Sequence, residues 1–378
     1  MISLTRFLYI KDEVKLALLL SILDKKEESI YWAYEIYYSS NKSDEIYDFL
    51  WQIYFDFFAI KNPSFELYFL TKQKQIQKQN QNELDDDKLI SMIVQDLLIR
   101  DYSTDAFLMR LLDKIDYPNL KNSKQLIELI QLKEYKTIYY FIINSYENEE
   151  YIYELFLDLL LSNNKIILIK QFQKIKRHLN TKINSKYILL NKVFALIEEY
   201  FIKVKKNTQN KKDRTFYIQV KPDDIIIYKE EYNDIKLFQL LKFACIFKIN
   251  DYKFFPLFAL QRYELNYEQV KYLYNNDWLF YASYSPIWED RIKIFNIVKD
   301  IHNKKIIFPD EKIEEEFYEQ FNYEPDEQSL EVKNKTIPEI IKNTDLNWFK
   351  FQEVYNKNGI IYWTFNELEF LSNFNIYY

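Results

Sequence analysis

A mainly α protein is what this sequence predicts. It reads as an irregular helical array, an α-solenoid or bundle, followed by a C-terminal mostly helical domain carrying minor β structure. Three observations point there. Apolar residues recur at spacings of three and four through most of the first 205 positions. Short polar turns separate these runs, as in helical bundles and solenoids. Only one glycine, Gly359, occurs in 378 residues, and alternating strand patterns are confined to the second half. No repeat of fixed period is present, so a solenoid would be irregular.

Taken in order, residues 11–24 form an apolar helix. Residues 28–60 read as two aromatic-laden helices that pack antiparallel across the polar turn Ser39-Ser40-Asn41-Lys42. Ser43 or Asp44 caps the second of these. Its stripe runs Ile46, Phe49 or Leu50, Ile53 and Phe57 until Asn62-Pro63 ends it, because the residue before a proline is pushed out of the helical region. Residues 65–78 begin apolar and fray into a Gln/Lys/Asn run at 71–82. Helical patterns resume at 85–100, 104–115, 123–144, 149–161, 165–179 and 185–205.

KKNTQNKKDR at 205–214 reads as a linker, which divides the chain into an N-terminal helical domain, 1–205, and a C-terminal mostly helical domain, 206–378. Beyond it, TFYIQV and DIIIYKEE flank Lys221-Pro222-Asp223 and predict a small β-hairpin. Helices are expected at 234–249, 266–281, 286–302 with Pro286 in the first turn, 311–321, and 348–355. Residues 324–338 read as loop.

Composition excludes much chemistry. A hydrophobic content of 48% is ample for a core, so wholesale disorder is not expected. The chain carries 34 Tyr and 30 Phe. Lys, Asn, Ile, Tyr and Phe all have AT-rich codons, so base bias of the gene explains the aromatic load. One glycine cannot build a Walker loop, a dinucleotide fingerprint or a kinase glycine loop, each of which brings backbone close to phosphate. Two histidines, His178 and His302, and one cysteine, Cys245, exclude zinc fingers, Cys clusters and an internal disulfide. No cofactor or metal is expected. Cys245 sits in an apolar run and reads as a buried thiol.

Lys11, Asp12, Glu13 and Lys15 interrupt the first apolar stretch, unlike a signal peptide. No window reaches the length of uncharged apolar residues that a membrane span needs. These features predict a soluble intracellular protein with no membrane span.

The stretch YWAYEIYYSSNKSDEIYDFLWQIYFDFFAIKNPSFELY, within 30–68, joins an aromatic helix, a short turn and a second aromatic helix ending in Asn-Pro. It resembles uncharacterised proteins of large nucleocytoplasmic DNA viruses, over about a tenth of the chain. The resemblance implies work in an infected cytoplasm or a virion and carries no functional residues with it.

Charge supplies the strongest functional signal. Residues 165–214 hold 14 Lys or Arg against 3 acidic residues, in a chain of net charge −6. On 165–179, Leu168, Phe172, Ile175 and Leu179 share one face at 100° per residue, and Lys170, Lys174 and Arg177 lie opposite. A basic stripe on an ordered helix suits phosphate contacts, with Lys176, Lys203, Lys205 and Lys206 as further candidates. It equally suits a solvated face. Residues 310–331 are the counterpart, with 10 acidic residues and one lysine, which reads first as a solubilising face and otherwise as a segment able to cover the basic stripe within the molecule or to dock a basic partner. Asp310 or Asp326 followed by Glu331 and Lys333 is a short pattern of the Mg²⁺-nuclease kind, but a helix intervenes where such sites use strands. The expected function is a non-catalytic helical scaffold or protein-interaction protein. Nucleic-acid binding through 165–214 comes second, and a Mg²⁺-dependent nuclease third. A protein partner is expected, and the sequence leaves the oligomeric state open.

Overall fold

The computed structural model describes residues 2–40, 44–78, 83–112, 123–160, 164–179, 182–205, 217–221, 224, 225, 228, 258, 272–321 and 348–358. The fold is mainly α. In chain order the helices are α1 (Lys11–Leu23), α2 (Glu28–Tyr38), α3 (Asp44–Ile53), α4 (Phe65–Lys78), α5 (Glu83–Leu98), α6 (Asp105–Arg110), α7 (Ser123–Gln131), α8 (Tyr135–Asn144), α9 (Glu149–Leu159), α10 (Lys165–Leu179) and α11 (Ser185–Lys205). They continue with α12 (Trp278–Ala282), α13 (Pro286–Ile294), α14 (Glu311–Phe321) and α15 (Trp348–Asn358). Among the described residues, π-helical turns at Tyr54–Phe58 and Leu273–Asp277 lead out of α3 and into α12. One antiparallel hairpin joins β1 (Val298–Asp300) to β2 (Lys305–Ile307).

These elements form two compact units that do not follow chain order. The first gathers Met1–Phe49, Ile90–Leu98 and Ile218–Tyr378, and the second Leu50–Leu89 and Ile99–Tyr217.

In the first unit α1 is apolar on nearly every side, with Val14, Leu16 to Leu20, Ile22 and Leu23 all buried. It therefore takes α2 as its main neighbour. The polar turn 39–42 predicts that α2 packs against α3, but its larger contact is with α1. A second cluster packs Leu4, Leu8 and Ile10 against Tyr274, Trp278, Trp288, Ile292 and Phe317. Arg6 is the hub between its strands of chain. Its Nε donates to Glu35 Oε2 (3.0 Å) and its Nη2 to the Tyr228 carbonyl (2.6 Å). Its backbone N–H donates to Ser39 Oγ (2.8 Å), and its carbonyl accepts from Trp288 Nε1 (3.0 Å). Glu35 Oε1 also accepts from the Phe7 N–H (3.0 Å).

In the second unit α9 packs on α10 and α11, α8 on α7 and α11, and α4 on α10. Most of these contacts join helices one to three apart in the chain, and α4 on α10 brings two distant ones together. The stripe Ile46, Leu50, Ile53 and Phe57 is buried as its spacing predicts, and Asn62 terminates the segment. Its Nδ2 donates to the carbonyls of Phe58 (3.1 Å) and Asp101 (2.7 Å).

The helix expected at 104–115 spans only Asp105–Arg110, and two longer patterns break. Residues 123–144 break between α7 and α8, and 286–302 end at Ile294. Both breaks are Schellman turns with a non-glycine residue in the left-handed region, Lys133 at φ 57° and Asn296 at φ 54°. Lys133 and Glu134 donate back to the carbonyls of Ile130 and Leu129, and Asn296 and Ile297 to those of Lys293 and Ile292. These are the paired bonds of the motif. Lys25, at φ 57°, closes α1 in the same way.

The hairpin expected across Lys221-Pro222-Asp223 falls largely outside the described residues. Among the described residues of 215–230 there is no strand. A pairing does form at 298–307, its first strand within the stretch 286–302 whose pattern predicts helix, because Asp300 turns the chain. Its carboxylate accepts from the Asn303 N–H (3.0 Å) and Nδ2 (2.7 Å), and Lys305 lies opposite Asp300 in the ladder. The helix expected at 234–249, the loop at 324–338 and Cys245 fall outside the described residues.

Candidate interaction face on helix α10

Helix α10 follows Asn164, which has φ 68° and accepts from the N–H groups of Ile167 (2.9 Å) and Leu168 (3.1 Å). Phe172, Ile175 and Leu179 are fully buried, so the hydrophobic face is the one the spacing predicts. Its last turn carries Lys176, Arg177 and His178, favourable near a helix C-terminus where carbonyl dipoles converge.

Neighbouring helices consume much of the basic segment. Lys176 pairs with Glu149 (2.8 Å), and Ser185 Oγ donates to the same carboxylate (2.7 Å). These contacts outweigh the burial that opposes them and hold the Glu149 carboxyl below its ordinary range. Lys165 bridges Glu154 (2.7 Å) and Asp158 (2.8 Å). Lys186 Nζ donates to the carbonyls of Ile143 and Ser145 at the end of α8. Lys192 is buried against Glu66, and Lys203 pairs with Glu199 (2.6 Å) along α11. Lys205 ends α11, and Lys206 lies outside the described residues.

Lys170, Lys174 and Arg177 remain outward and exposed. Among the described residues none of the three has an acidic partner within ion-pair distance. Ile166 and Ile167 share their face, 70% and 55% exposed. At 100° per residue these five side chains fall within an arc of about 100°. The sequence pattern marks the buried stripe and the cations opposite it, but not the isoleucines. The same helical wheel places both among the cations.

The buried polar groups of the second unit serve architecture. Asp56, carried on the π turn, accepts from Arg110 Nη1 and Tyr187 Oη, each at 2.5 Å. Burial pushes its carboxyl up while Arg110 opposes the shift, and the same burial raises Tyr187. His178 Nε2 and Trp51 Nε1 converge on Gln73 Oε1 at 3.1 and 3.0 Å.

In the first unit a groove of about 460 Å³ opens between α12, β2 and α14, lined by Asp277, Trp278, Phe308, Asp310, Glu311 and Tyr318 among others. Burial raises the Asp277 carboxyl against the pull of Lys305 and Lys304. Asp310, a member of the nuclease-like pattern, caps α14 by accepting from the Ile313 N–H (2.9 Å). Asp326, Glu331 and Lys333 lie outside the described residues. Among the described residues no group of His, Cys, Asp and Glu side chains could hold a metal ion, and no helix is long and apolar enough to cross a membrane.

Compared with known proteins, the chain matches no family model, no curated protein and no solved structure.

Proposed function

We propose that this chain is a non-catalytic helical interaction protein that uses the outer face of α10 to hold an anionic macromolecular surface. One observation carries the reading. Lys170, Lys174 and Arg177 stay outward beside two bare isoleucines, whereas Lys165, Lys176, Lys192 and Lys203 are each bound to a carboxylate. Three cations flanked by apolar side chains suit an acidic protein surface, where charges steer the encounter and the isoleucines bury area.

Nucleic acid is the second reading, favoured by the row of cations with no acid on its face. Three phosphate contacts would give a log–log salt slope of about −3 on duplex DNA. An intracellular setting goes with both readings. An infected cytoplasm or a virion follows if the viral resemblance of 30–68 holds.

The test titrates labelled polyglutamate and labelled DNA and RNA with the wild-type chain and with the variant K170E/K174E/R177E across a salt series. Polyglutamate binding that the charge reversal abolishes is the expected result. Binding of nucleic acid alone, with the slope given above, would transfer the function to the second reading. Failure to bind any polyanion at low salt would overturn both.

A further inference from the structure

Helix α14, in the first unit, carries a row opposite in sign to that of α10. Glu311, Glu315 and Glu319 are exposed and recur at intervals of four, so they align along one side of the helix. Phe317 faces the core on the other side. Among the described residues none of the three glutamates has a cationic partner within ion-pair distance, while the adjacent Glu316 is reached by Lys312 (3.6 Å). On α10 the cations recur at intervals of four and three. Both rows therefore span about 10 to 12 Å, with charges about 5 to 6 Å apart. Within each row the like charges repel, a cost that an opposing row would remove.

We propose that the cationic row of α10 in one copy of this chain docks on the anionic row of α14 in a second copy. The proposal rests on the reading of α10 as a binding face and names a partner for it. It selects the second copy because one sequence presents both rows, equal in charge number and closely matched in spacing. Such a contact is heterologous, the cationic face of one copy meeting the anionic face of the next. It therefore grows with concentration and is screened by salt.

Analytical ultracentrifugation of the full chain tests it. The wild type should sediment faster as concentration rises at low salt and return to monomer at high salt. K170E/K174E/R177E makes both rows acidic, and E311K/E315K/E319K makes both basic. Each variant alone should lose association about ten- to hundredfold, from three exposed pairs. Mixed in equal amounts they should associate again, because every contact then joins opposite rows. E311Q/E315Q/E319Q, which introduces no repulsion, should weaken association by a smaller factor, and circular dichroism confirms that each variant is folded. A wild type that stays monomeric at low salt overturns self-docking. So does association that survives either reversal, or a mixture that remains monomeric. If the monomeric wild type still binds polyglutamate through α10, only the self-docking fails; if it binds no polyanion, both proposals fail.

Discussion

The first unit and the second both bury charge, and they do so in different ways. In the first, Arg6 is bonded to Glu35 and to the main chain of Tyr228, and Glu35 reaches the main chain of Phe7. Its guanidinium also lies over the rings of Phe7 and Tyr38, 4.3 and 4.5 Å from their centroids. In the second, the Glu66 carboxylate and the Lys192 ammonium meet only each other among the described residues. A buried ion pair costs desolvation whatever its surroundings. The difference lies in what depends on it. Arg6 and Glu35 satisfy backbone groups of other segments, while Lys192 and Glu66 bond only to one another among the described residues.

Double-mutant cycles put this contrast to its hardest test. Removing one partner at either place, as Arg6→Met or Lys192→Met, should cost about 3–5 kcal/mol in urea melts, since each leaves an uncompensated buried carboxylate. The doubles should part. Lys192→Met/Glu66→Leu should return to within about 1 kcal/mol of wild type or exceed it. Arg6→Met/Glu35→Leu should stay destabilised by about 2–4 kcal/mol, because the Phe7 N–H and the Tyr228 carbonyl each lose the hydrogen bond this pair gives them. Full recovery of the Arg6 double would erase the distinction.

A smaller effect sharpens the comparison within the first unit. Burial raises the Glu28 carboxyl to about 7, with Lys26 pulling down and Asp24 pushing up. A carboxyl raised on folding adds stability that is complete below about pH 4.5 and is lost as pH climbs through 7. Glu28→Gln should therefore gain stability at pH 8 relative to pH 5, by on the order of 2 kcal/mol. Glu45 has the opposite sign. Burial would raise it, but Lys15 and Lys11 hold it down at about 2, so its contribution persists to low pH and is lost only as pH falls towards 2. A wild type whose stability is flat between pH 5 and 8 would remove the Glu28 argument.

The smallest expected effects sit at the two unexpected helix stops, one in each unit. Lys133→Gly should stabilise by about 1 kcal/mol, by relieving the left-handed backbone of a residue with a Cβ. Asn296→Gly should gain only a few tenths, since asparagine tolerates that conformation. Equal gains at both sites would show that side-chain type does not set the strain. Thermal melts resolve this.

Much of the fold was legible because periodicity survives a biased composition. Ile46, Leu50, Ile53 and Phe57 are buried as spaced, and so are Phe172, Ile175 and Leu179. The breaks at Lys133 and Asn296 were not legible. A helix stop is ordinarily marked by glycine, and here the bonds of the Schellman turn form without that letter. On α10 the outward set Lys170, Lys174 and Arg177 could be read from the wheel. The capture of Lys176 by Glu149, or of Lys192 by Glu66 across 126 positions, could not, because local spacing holds no information about distant partners.

The left-handed residues also bear on how such a sequence can change. Leu8, Lys25, Lys133, Asn164, Asn296 and Lys304 all have positive φ. In the genetic code every leucine, lysine and asparagine codon lies at least two nucleotide changes from a glycine codon. From lysine the route passes through arginine or glutamate, and from asparagine through serine or aspartate. None of these intermediates removes the Cβ that causes the strain. The stabilising replacement is therefore out of reach of a single point mutation, and a gene that drifts towards A and T keeps its strained turns even where glycine would serve the fold better.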